Sequence, residues 1–236
     1  MTISLDRMDE QLKKDIAILD QVVRQDLTPG PFPAREGEAA TPIHYTAPIE
    51  LEKFGIQKGA GPGSFLIVLT GLPGTGKSFF ARALANRMPF LILESDRLRK
   101  ALAPKPRYTS RESARLFSAC HYLIGQYLTD GRRIIFDATN LRESHRQPLC
   151  TLANSMNTPI AVVRLTAPEQ IVRHRLAERI TGANGLDYSD ADWRVYRRML
   201  PTEESVDREC LTVDSSQDIS PALEQVIRLV SSLSVR

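Results

Sequence analysis

The sequence predicts an α/β fold in which a parallel sheet of about five strands is covered by helices on both faces. The main observation is that short apolar runs alternate with longer segments of helical periodicity from residue 65 to the end of the chain. Such alternation is typical of βαβ units, whose strands are parallel. A second observation is the length, because 236 residues are enough for one such domain with an extension.

The predicted elements follow from local patterns. Five apolar runs are short and bounded by turn residues, which is expected for strands buried on both faces. These strands are residues 65–69, 90–93, 133–137, 159–165 and 210–214. The helical patterns between and after them are residues 79–86, 110–129, 142–157, 169–180, 189–199 and 220–233. We expect Ser189 to cap the helix at 189–199.

Residues 1–60 are predicted to be an extension of a domain that spans residues 61–236. The extension begins with a helix candidate at 4–25, capped by Ser4, and continues into a strap at 28–48 that is rich in Pro and Gly. Spacings of three and four give the helix one apolar stripe, made of Leu5, Met8, Leu12, Ile16, Leu19 and Val23. Docking of this stripe on the core is favoured, and self-association or docking of a partner is the alternative.

Composition excludes several classes of protein. The formal net charge is only +3, so any preference for nucleic acid must come from a local patch. Cys120, Cys150 and Cys210 are far apart in sequence, which gives neither metal-ligand spacing nor a disulfide framework. Acidic residues interrupt the N-terminal apolar residues, and no apolar run is long enough to span a bilayer. These features predict a cytoplasmic protein without membrane contact.

The most informative stretch follows the first predicted strand. Residues 71–78 read GLPGTGKS and fit the phosphate-binding pattern G-x-x-x-x-G-K-[ST] at all eight positions, with a strand before and a helix after. Glycines let backbone N–H groups close around a triphosphate, Lys77 should reach the β and γ phosphates, and Ser78 should ligate Mg²⁺. The predicted nucleotide-binding residues are Gly71, Leu72, Pro73, Gly74, Thr75, Gly76, Lys77, Ser78 and Phe79. The alternative is a glycine-rich turn without a ligand.

Two acids lie at the carboxyl ends of predicted strands, where ligands of open parallel sheets bind. Asp137 ends the strand 133–137 and is predicted to share Mg²⁺ with Ser78; a cap or turn residue is the alternative. Asp96 and Arg99 are three residues apart and would share one helical face. They could act as a base for the attacking hydroxyl and as a grip for an anionic acceptor. For Asp96, helix capping is the alternative.

The loop at 71–78, the segment SDRLR at 95–99 and the segment DATN at 137–140 together carry a resemblance. They resemble the kinase domain of polynucleotide 5′-hydroxyl kinases and related AAA or zeta-toxin-like P-loop phosphotransferases. The resemblance covers about residues 65–230. It implies a P-loop NTPase-type sheet and transfer of the γ-phosphate of ATP to a hydroxyl. It also implies that Asp96 is the general base and that Arg99 contacts the acceptor's phosphate.

The same resemblance implies a helical lid whose arginines reach the phosphates. Arg175 and Arg179 lie where that lid is expected, at about residues 173–200, and are counted among the catalytic candidates with Lys77, Asp96 and Arg99. Arginines on a helix are also common on an ordinary solvated face.

The acceptor is indicated by a basic stretch directly after the proposed base. Seven cations stand against the single acid Glu112, with Tyr108 among them: Arg97, Arg99, Lys100, Lys105, Arg107, Arg111 and Arg115. This excess suits a phosphate-bearing acceptor such as a nucleic-acid 5′ end. One alternative is a kinase for an antibiotic, a sugar or a sugar nucleotide. Another is a nucleotide-dependent regulatory module that binds a partner through the N-terminal helix.

Overall fold

The computed structural model describes residues 10–25, 61, 63–180 and 188–233. Several sequence-based expectations lie outside these residues and stay predictions. They are the cap Ser4, the apolar residues Leu5 and Met8, the strap at 28–48, the domain boundary at about residue 60 and the loop at 181–185.

The sheet confirms the predicted fold class. The strands are β1 (Phe65–Thr70), β2 (Leu91–Glu94), β3 (Arg133–Asp137), β4 (Ile160–Thr166) and β5 (Cys210–Asp214). All pairings are parallel, and the strand order is β2-β3-β1-β4-β5. The first strand therefore lies in the centre of the sheet, and the glycine loop that follows it emerges at the middle of the carboxyl edge.

Helices cover both faces of the sheet. They are α1 (Glu10–Gln25), α2 (Lys77–Ala85), α3 (Ser95–Leu102), α4 (Ser110–Thr129), α5 (Glu143–Ser155), α6 (Glu169–Ile180), α7 (Trp193–Met199) and α8 (Ser220–Leu233). A 3₁₀ turn, Leu200–Thr202, follows α7. Within the described part of the chain, no helix has the length and apolarity to cross a membrane.

The start of α7 differs from the expectation. Asp192 is the N-cap, because its carboxylate accepts a hydrogen bond of 2.8 Å from the backbone N–H of Val195. The predicted cap, Ser189, instead accepts a long bond from Ala191 N–H. Both residue types cap helices well, so local pattern alone could not choose between them.

The two faces of the sheet carry separate apolar clusters, and β1 contributes to both. Leu66 and Val68 pack with α1, α3, α4 and α5, whereas Phe65, Ile67 and Leu69 pack with α2 and α8. This alternation is the consequence of the two-residue period of a strand. It explains why β1 reads as a continuous apolar run, since both of its faces are buried.

The N-terminal helix α1 packs against α3 and α4. Its apolar residues Ile16, Leu19 and Val23 are buried in the same cluster as Leu66 and Val68. Polar contacts also hold the helix. The buried carboxylate of Asp15 accepts two hydrogen bonds from Arg115, the shorter 2.7 Å long, and the hydroxyl of Tyr127 donates to Asp20 at 2.6 Å. The described part of the apolar stripe thus faces the protein's own core.

This packing predicts that α1 contributes to the stability of the whole domain. We expect Leu19→Ala to lower the free energy of unfolding by about 2–5 kcal/mol, because Leu19 is fully buried and the change leaves a cavity. The neighbouring Ile18 is 41% exposed, so Ile18→Ala is a matched control that should change stability by about 0.5 kcal/mol at most. Urea unfolding of both variants measures the difference. Equal stability of the two would show that α1 does not belong to the cooperative core.

Candidate active site

The glycine loop is shaped by tight packing against its neighbours. Gly74 and Gly76 have φ angles of 81° and 86°, in the left-handed region that favours glycine. A Cβ atom on Gly76 would lie 2.9 Å from the hydroxyl oxygen of Ser215, and one on Gly74 would lie 2.9 Å from a methyl group of Val172. At these two glycines the loop therefore packs directly against α6 and against the turn after β5.

The first turn of α2 faces the loop. Lys77 is the first residue of this helix, and its N-cap is Gly76, which has no side chain with which to satisfy the first N–H groups. A helix start of this kind favours anions. The ammonium of Lys77 donates to the carbonyl of Leu72 at 2.9 Å, so it is held across the loop. Phe79, also predicted to bind nucleotide, is 60% exposed.

Asp137 and Ser78 lie together at the end of β3. Burial raises the pKa of the Asp137 carboxyl, while the Lys77 charge and a hydrogen bond from Ser78 lower it in part. Oxygen Oδ2 of Asp137 is buried and has no hydrogen-bond partner among the described residues. A buried carboxylate oxygen beside a hydroxyl fits Mg²⁺, which prefers oxygen ligands and usually takes one or two carboxylates plus phosphates and waters. These residues therefore fit the predicted metal.

A cavity of about 290 Å³ opens next to this pair. Besides Ser78 and Asp137, its walls are Arg82, Ile92, Glu94, Arg97 and Tyr188. The sequence interpretation assigned no site role to Arg82, Glu94 or Tyr188. Glu94 could have been predicted from the sequence, because it is the last residue of β2 and ligands of open parallel sheets bind at the carboxyl ends of the strands. Glu94 and Arg82 form a loose ion pair with an N–O distance of 3.9 Å.

Asp96 lies in the first turn of α3, and the N-cap of that helix is Glu94. After burial, the charge of the Asp96 carboxylate contributes to the raised pKa of two neighbouring side chains, Asp137 and Tyr108. Burial is the main cause of the raised pKa of Asp137, and the charge of Asp96 adds to it. The pKa of Tyr108 is raised chiefly by burial and by a hydrogen bond to Asp190, again with a contribution from Asp96. Asp96 is thus close enough to Asp137 for their charges to interact, and its role as the general base stays a prediction.

Arg99 is placed differently from the expectation for a residue that grips an acceptor. Its side chain is only 7% exposed and makes a 3.0 Å ion pair with Glu112. Its guanidinium carbon lies 5.0 Å from the centre of the Tyr108 ring. Its Nε is buried without a hydrogen-bond partner in the described part of the chain. Arg99 therefore lies between α3 and α4, and its role toward the acceptor stays a prediction.

Other cations of the basic stretch also bind within the molecule. Lys100 pairs with Asp190 at 2.7 Å, and Arg115 pairs with Asp15 at 2.7 Å. Lys105, Arg107 and Arg111 are exposed. The positive surface is thus smaller than the sequence count suggested, because partners 90 and 100 residues away in sequence offset part of it.

The two arginines predicted to belong to a lid, Arg175 and Arg179, both lie on α6. Arg175 donates to the hydroxyl and the carbonyl of Ser215, each at 2.8 Å, and makes a longer contact of 3.4 Å with the carbonyl of Gly74. It therefore joins the glycine loop to the turn after β5. Arg179 lies four residues further, half-buried in the last turn of the same helix. Its predicted contact with phosphates stays a prediction.

Comparison with known proteins finds matches over the region that contains this site. The sequence pattern of the AAA domain family matches residues 66–204. An L-seryl-tRNA(Sec) kinase from Methanococcus maripaludis is 31% identical over 119 residues, which are 48% of this chain and 46% of that protein. The matched region thus spans about half the length of this relative.

Two solved structures are similar in fold. The Mycobacterium tuberculosis APS kinase CysC, in complex with AMPPNP and APS, superposes with a TM-score of 0.57 at 16% identity, covering 72% of this chain and 99% of the other. Chaetomium thermophilum Kti12, in complex with ADP-AlF3, also gives 0.57, at 19% identity, covering 71% and 98%. At such identities the likeness concerns the fold, which confirms the expected P-loop kinase architecture. Since the family pattern covers more than half of the sequence, the chain belongs to the AAA domain family.

Proposed function

We propose that this protein is a kinase that transfers the γ-phosphate of ATP to a hydroxyl group of an acceptor. One observation carries the proposal: the glycine loop, Lys77, Ser78 and Asp137 meet beside a cavity that lies next to the helix bearing Asp96. A phosphate site and an acceptor space with a nearby carboxylate are what phosphoryl transfer requires. The relative from Methanococcus maripaludis and the Mycobacterium tuberculosis neighbour are both named kinases, which supports the proposal.

The chemistry assigned to each group follows from its position. The loop N–H groups and Lys77 would bind the β and γ phosphates, and Ser78 with Asp137 would hold Mg²⁺, which would offset phosphate charge. Asp96 accepts the proton of the attacking hydroxyl. Arg175 contacts the carbonyl of Gly74, and in the proposed mechanism it would act on the phosphates as a lid arginine. Catalysis then consists mainly of positioning and electrostatic stabilisation.

The first candidate acceptor is the 5′-hydroxyl of a polynucleotide. Lys105, Arg107 and Arg111 form an exposed basic edge after α3, where a phosphodiester chain could lie. The name of the Methanococcus maripaludis relative also places RNA in its acceptor. Both observations favour an acceptor hydroxyl attached to nucleic acid.

A small hydroxyl compound is the second candidate. The cavity volume of about 290 Å³ is at the low end for ligand pockets and would hold a small molecule or a single terminal group. Internal ion pairs of Arg99, Lys100 and Arg115 also weaken the case for an extended nucleic-acid surface. The second candidate therefore includes antibiotics, sugars and sugar nucleotides.

A phosphate-transfer screen separates the candidates. With radiolabelled ATP and Mg²⁺, we expect label on a 5′-hydroxyl oligonucleotide but not on its 5′-phosphorylated form. Binding of the oligonucleotide should weaken as salt rises, because phosphate contacts release counterions. Label on adenosine or sugars with equal efficiency would move the function to the small-molecule class. ATP binding without transfer to any acceptor would instead support a regulatory module.

A further inference from the structure

Asn140 closes the segment DATN, which begins with Asp137 at the end of β3. Its backbone φ is 43°, in the left-handed region that asparagine tolerates better than most residues. Its side chain is buried, and the amide nitrogen donates a hydrogen bond of 2.8 Å to the carbonyl of Leu69. Leu69 belongs to β1 and lies two residues before the glycine loop. Asn140 therefore ties the turn after β3 to the strand that leads into the loop.

Two more hydrogen bonds join the same turn to the start of the loop. The backbone N–H of Gly71, the first residue of the loop, donates to the carbonyl of Thr139 at 3.0 Å. The buried hydroxyl of Thr70 lies 3.1 Å from the carbonyl of Asn140 and 3.2 Å from that of Thr139. The glycine loop thus begins at a residue whose position depends on the turn that directly follows Asp137.

The turn is itself held by Arg146 of α5, whose side chain is fully buried. A buried cation is costly unless its N–H groups find acceptors. Nη1 of Arg146 donates to the carbonyls of Asn140 and Leu141 at 3.0 and 2.9 Å, and Nη2 donates to the carbonyl of Ser205 at 2.6 Å. Nε donates to the carboxylate of Glu143 at 3.0 Å. A guanidinium suits this position because its donors lie in a fixed planar fork.

The same turn also carries apolar packing that reaches the loop. Leu141 belongs to an apolar cluster that is separate from the two clusters of the sheet. The buried members of this third cluster come from the glycine loop, the turn after β3, α6 and α7: Leu72, Leu141, Val172, Leu176 and Tyr196. Arg146 binds the carbonyl of Leu141 and that of Ser205, which follows α7. One buried side chain therefore joins the turn after β3 to the segment that follows α7.

We infer that Asn140 and Arg146 are positioning residues of the glycine loop. Asn140 fixes the end of β1 and the first residue of the loop, and Arg146 holds Asn140 in its left-handed conformation. Together they preorganise the N–H groups of the loop for phosphates, without touching the nucleotide themselves. This inference rests on the proposed function, because the glycine loop is taken as the site of the ATP phosphates.

The test is equilibrium binding of the ATP analogue AMPPNP with Mg²⁺, which does not depend on turnover. Asn140→Gly keeps a residue that adopts the positive φ and removes only the side-chain bond to Leu69. We expect this variant to bind the analogue about ten-fold more weakly than wild type, as is typical when a supporting hydrogen bond of a site is lost. Asn140→Asp should show a similar loss, because an ionised carboxylate cannot donate to that carbonyl.

Asn157 offers a matched control. It is also a left-handed asparagine, with a φ of 53°, but it is exposed and lies between α5 and β4 at the amino edge of the sheet. Asn157→Gly should therefore leave the affinity for AMPPNP unchanged. Arg146→Lys keeps the charge but cannot span all the acceptors of the guanidinium, so it should weaken the analogue by a smaller factor than Asn140→Gly.

Thermal unfolding separates positioning from a purely structural role. Leu19→Ala destabilises the domain through the core and should bind AMPPNP as wild type does, at a temperature at which each protein is folded. A lower melting temperature of Asn140→Gly, Asn140→Asp and Arg146→Lys with wild-type affinity for the analogue would overturn the inference. Equal losses of affinity in Asn157→Gly and Asn140→Gly would also overturn it, since the effect would not be specific to this turn.

The outcomes also separate this inference from the proposed function. Weaker binding of AMPPNP in Asn140→Gly, with no phosphate transfer by wild type to any acceptor, would retain the positioning role and reject the kinase. Transfer by wild type, with unchanged affinity for the analogue in Asn140→Gly and Arg146→Lys, would retain the kinase and reject the positioning role. Wild-type protein that does not bind AMPPNP would reject both.

Discussion

Lys77→Ala should reduce phosphate transfer by at least about a hundred-fold while the protein stays folded. The ammonium of Lys77 bridges the glycine loop through the carbonyl of Leu72 and lies close enough to Asp137 for its charge to act on that carboxyl. In the proposed complex it compensates charge on the β and γ phosphates. Alanine removes this charge without opening a cavity in the core, because Lys77 belongs to neither apolar cluster of the sheet.

The measurement pairs turnover with thermal unfolding. Lys14 is an exposed lysine of α1, so Lys14→Ala removes the same charge far from the loop in sequence and should keep normal turnover. We expect Lys77→Ala to match wild type in its melting temperature without nucleotide and to lose most of the stabilisation that ATP adds. Near-normal turnover of a folded Lys77→Ala protein would remove the glycine loop from the mechanism.

The strands and the glycine loop could be predicted because their causes are local. A run such as Phe65–Thr70 is apolar on both faces, since it lies in the centre of a sheet covered on both sides. Gly74 and Gly76 have φ angles that favour glycine, so the positions of these glycines in the sequence predict the conformation of the loop. The position of Asp137 at the end of β3 followed from the same reasoning, because parallel strands bring their carboxyl ends to one edge. Asp96 lies just beyond β2, in the first turn of α3.

The surroundings of the basic stretch could not be predicted, since they depend on contacts between distant segments. Arg115 pairs with Asp15 of α1, and Lys100 pairs with Asp190, which lies just before α7. Neither ion pair can be predicted from the local sequence pattern, because the two partners are far apart in sequence. The count of cations between residues 97 and 115 therefore overstated the positive surface. A buried arginine such as Arg99 looks the same in sequence as an exposed one.

The residues of the cavity wall could not be predicted for the same reason, since they come from segments that are far apart in sequence. Tyr188 follows the residues 181–187, which lie outside the described chain, and its contact with Arg97 joins α3 to the segment before α7. The backbone carbonyl of Val22 in α1 accepts a hydrogen bond from Arg97 of that wall, although the helix was predicted as part of an extension. The helix α1 therefore contributes residues to the core and also contacts Arg97 of the cavity wall, although its sequence suggested an extension outside the domain.

Asp96→Asn should reduce turnover by about a hundred- to ten-thousand-fold and leave ATP affinity nearly unchanged. Asparagine keeps the shape of the side chain but cannot take the proton of the attacking hydroxyl. The metal site should also survive. Asp96 contributes to the raised pKa of Asp137, after burial as the main cause, so its removal eases ionisation of that carboxyl. Nucleotide binding at several Mg²⁺ concentrations then shows whether a loss of activity comes from weaker Mg²⁺ binding.

The experiment compares Asp96→Asn with Asp130→Asn in steady-state turnover and in nucleotide binding at several Mg²⁺ concentrations. Asp130 is an exposed acid at the C-cap of α4, at the opposite edge of the sheet, so its variant makes the same charge change away from the cavity. We expect normal turnover for Asp130→Asn and a deep loss for Asp96→Asn at equal ATP affinity. A variant Asp96→Asn that lost ATP or Mg²⁺ affinity but turned over bound substrates normally would make Asp96 a structural or metal-binding residue, because a general base acts only on the bound acceptor.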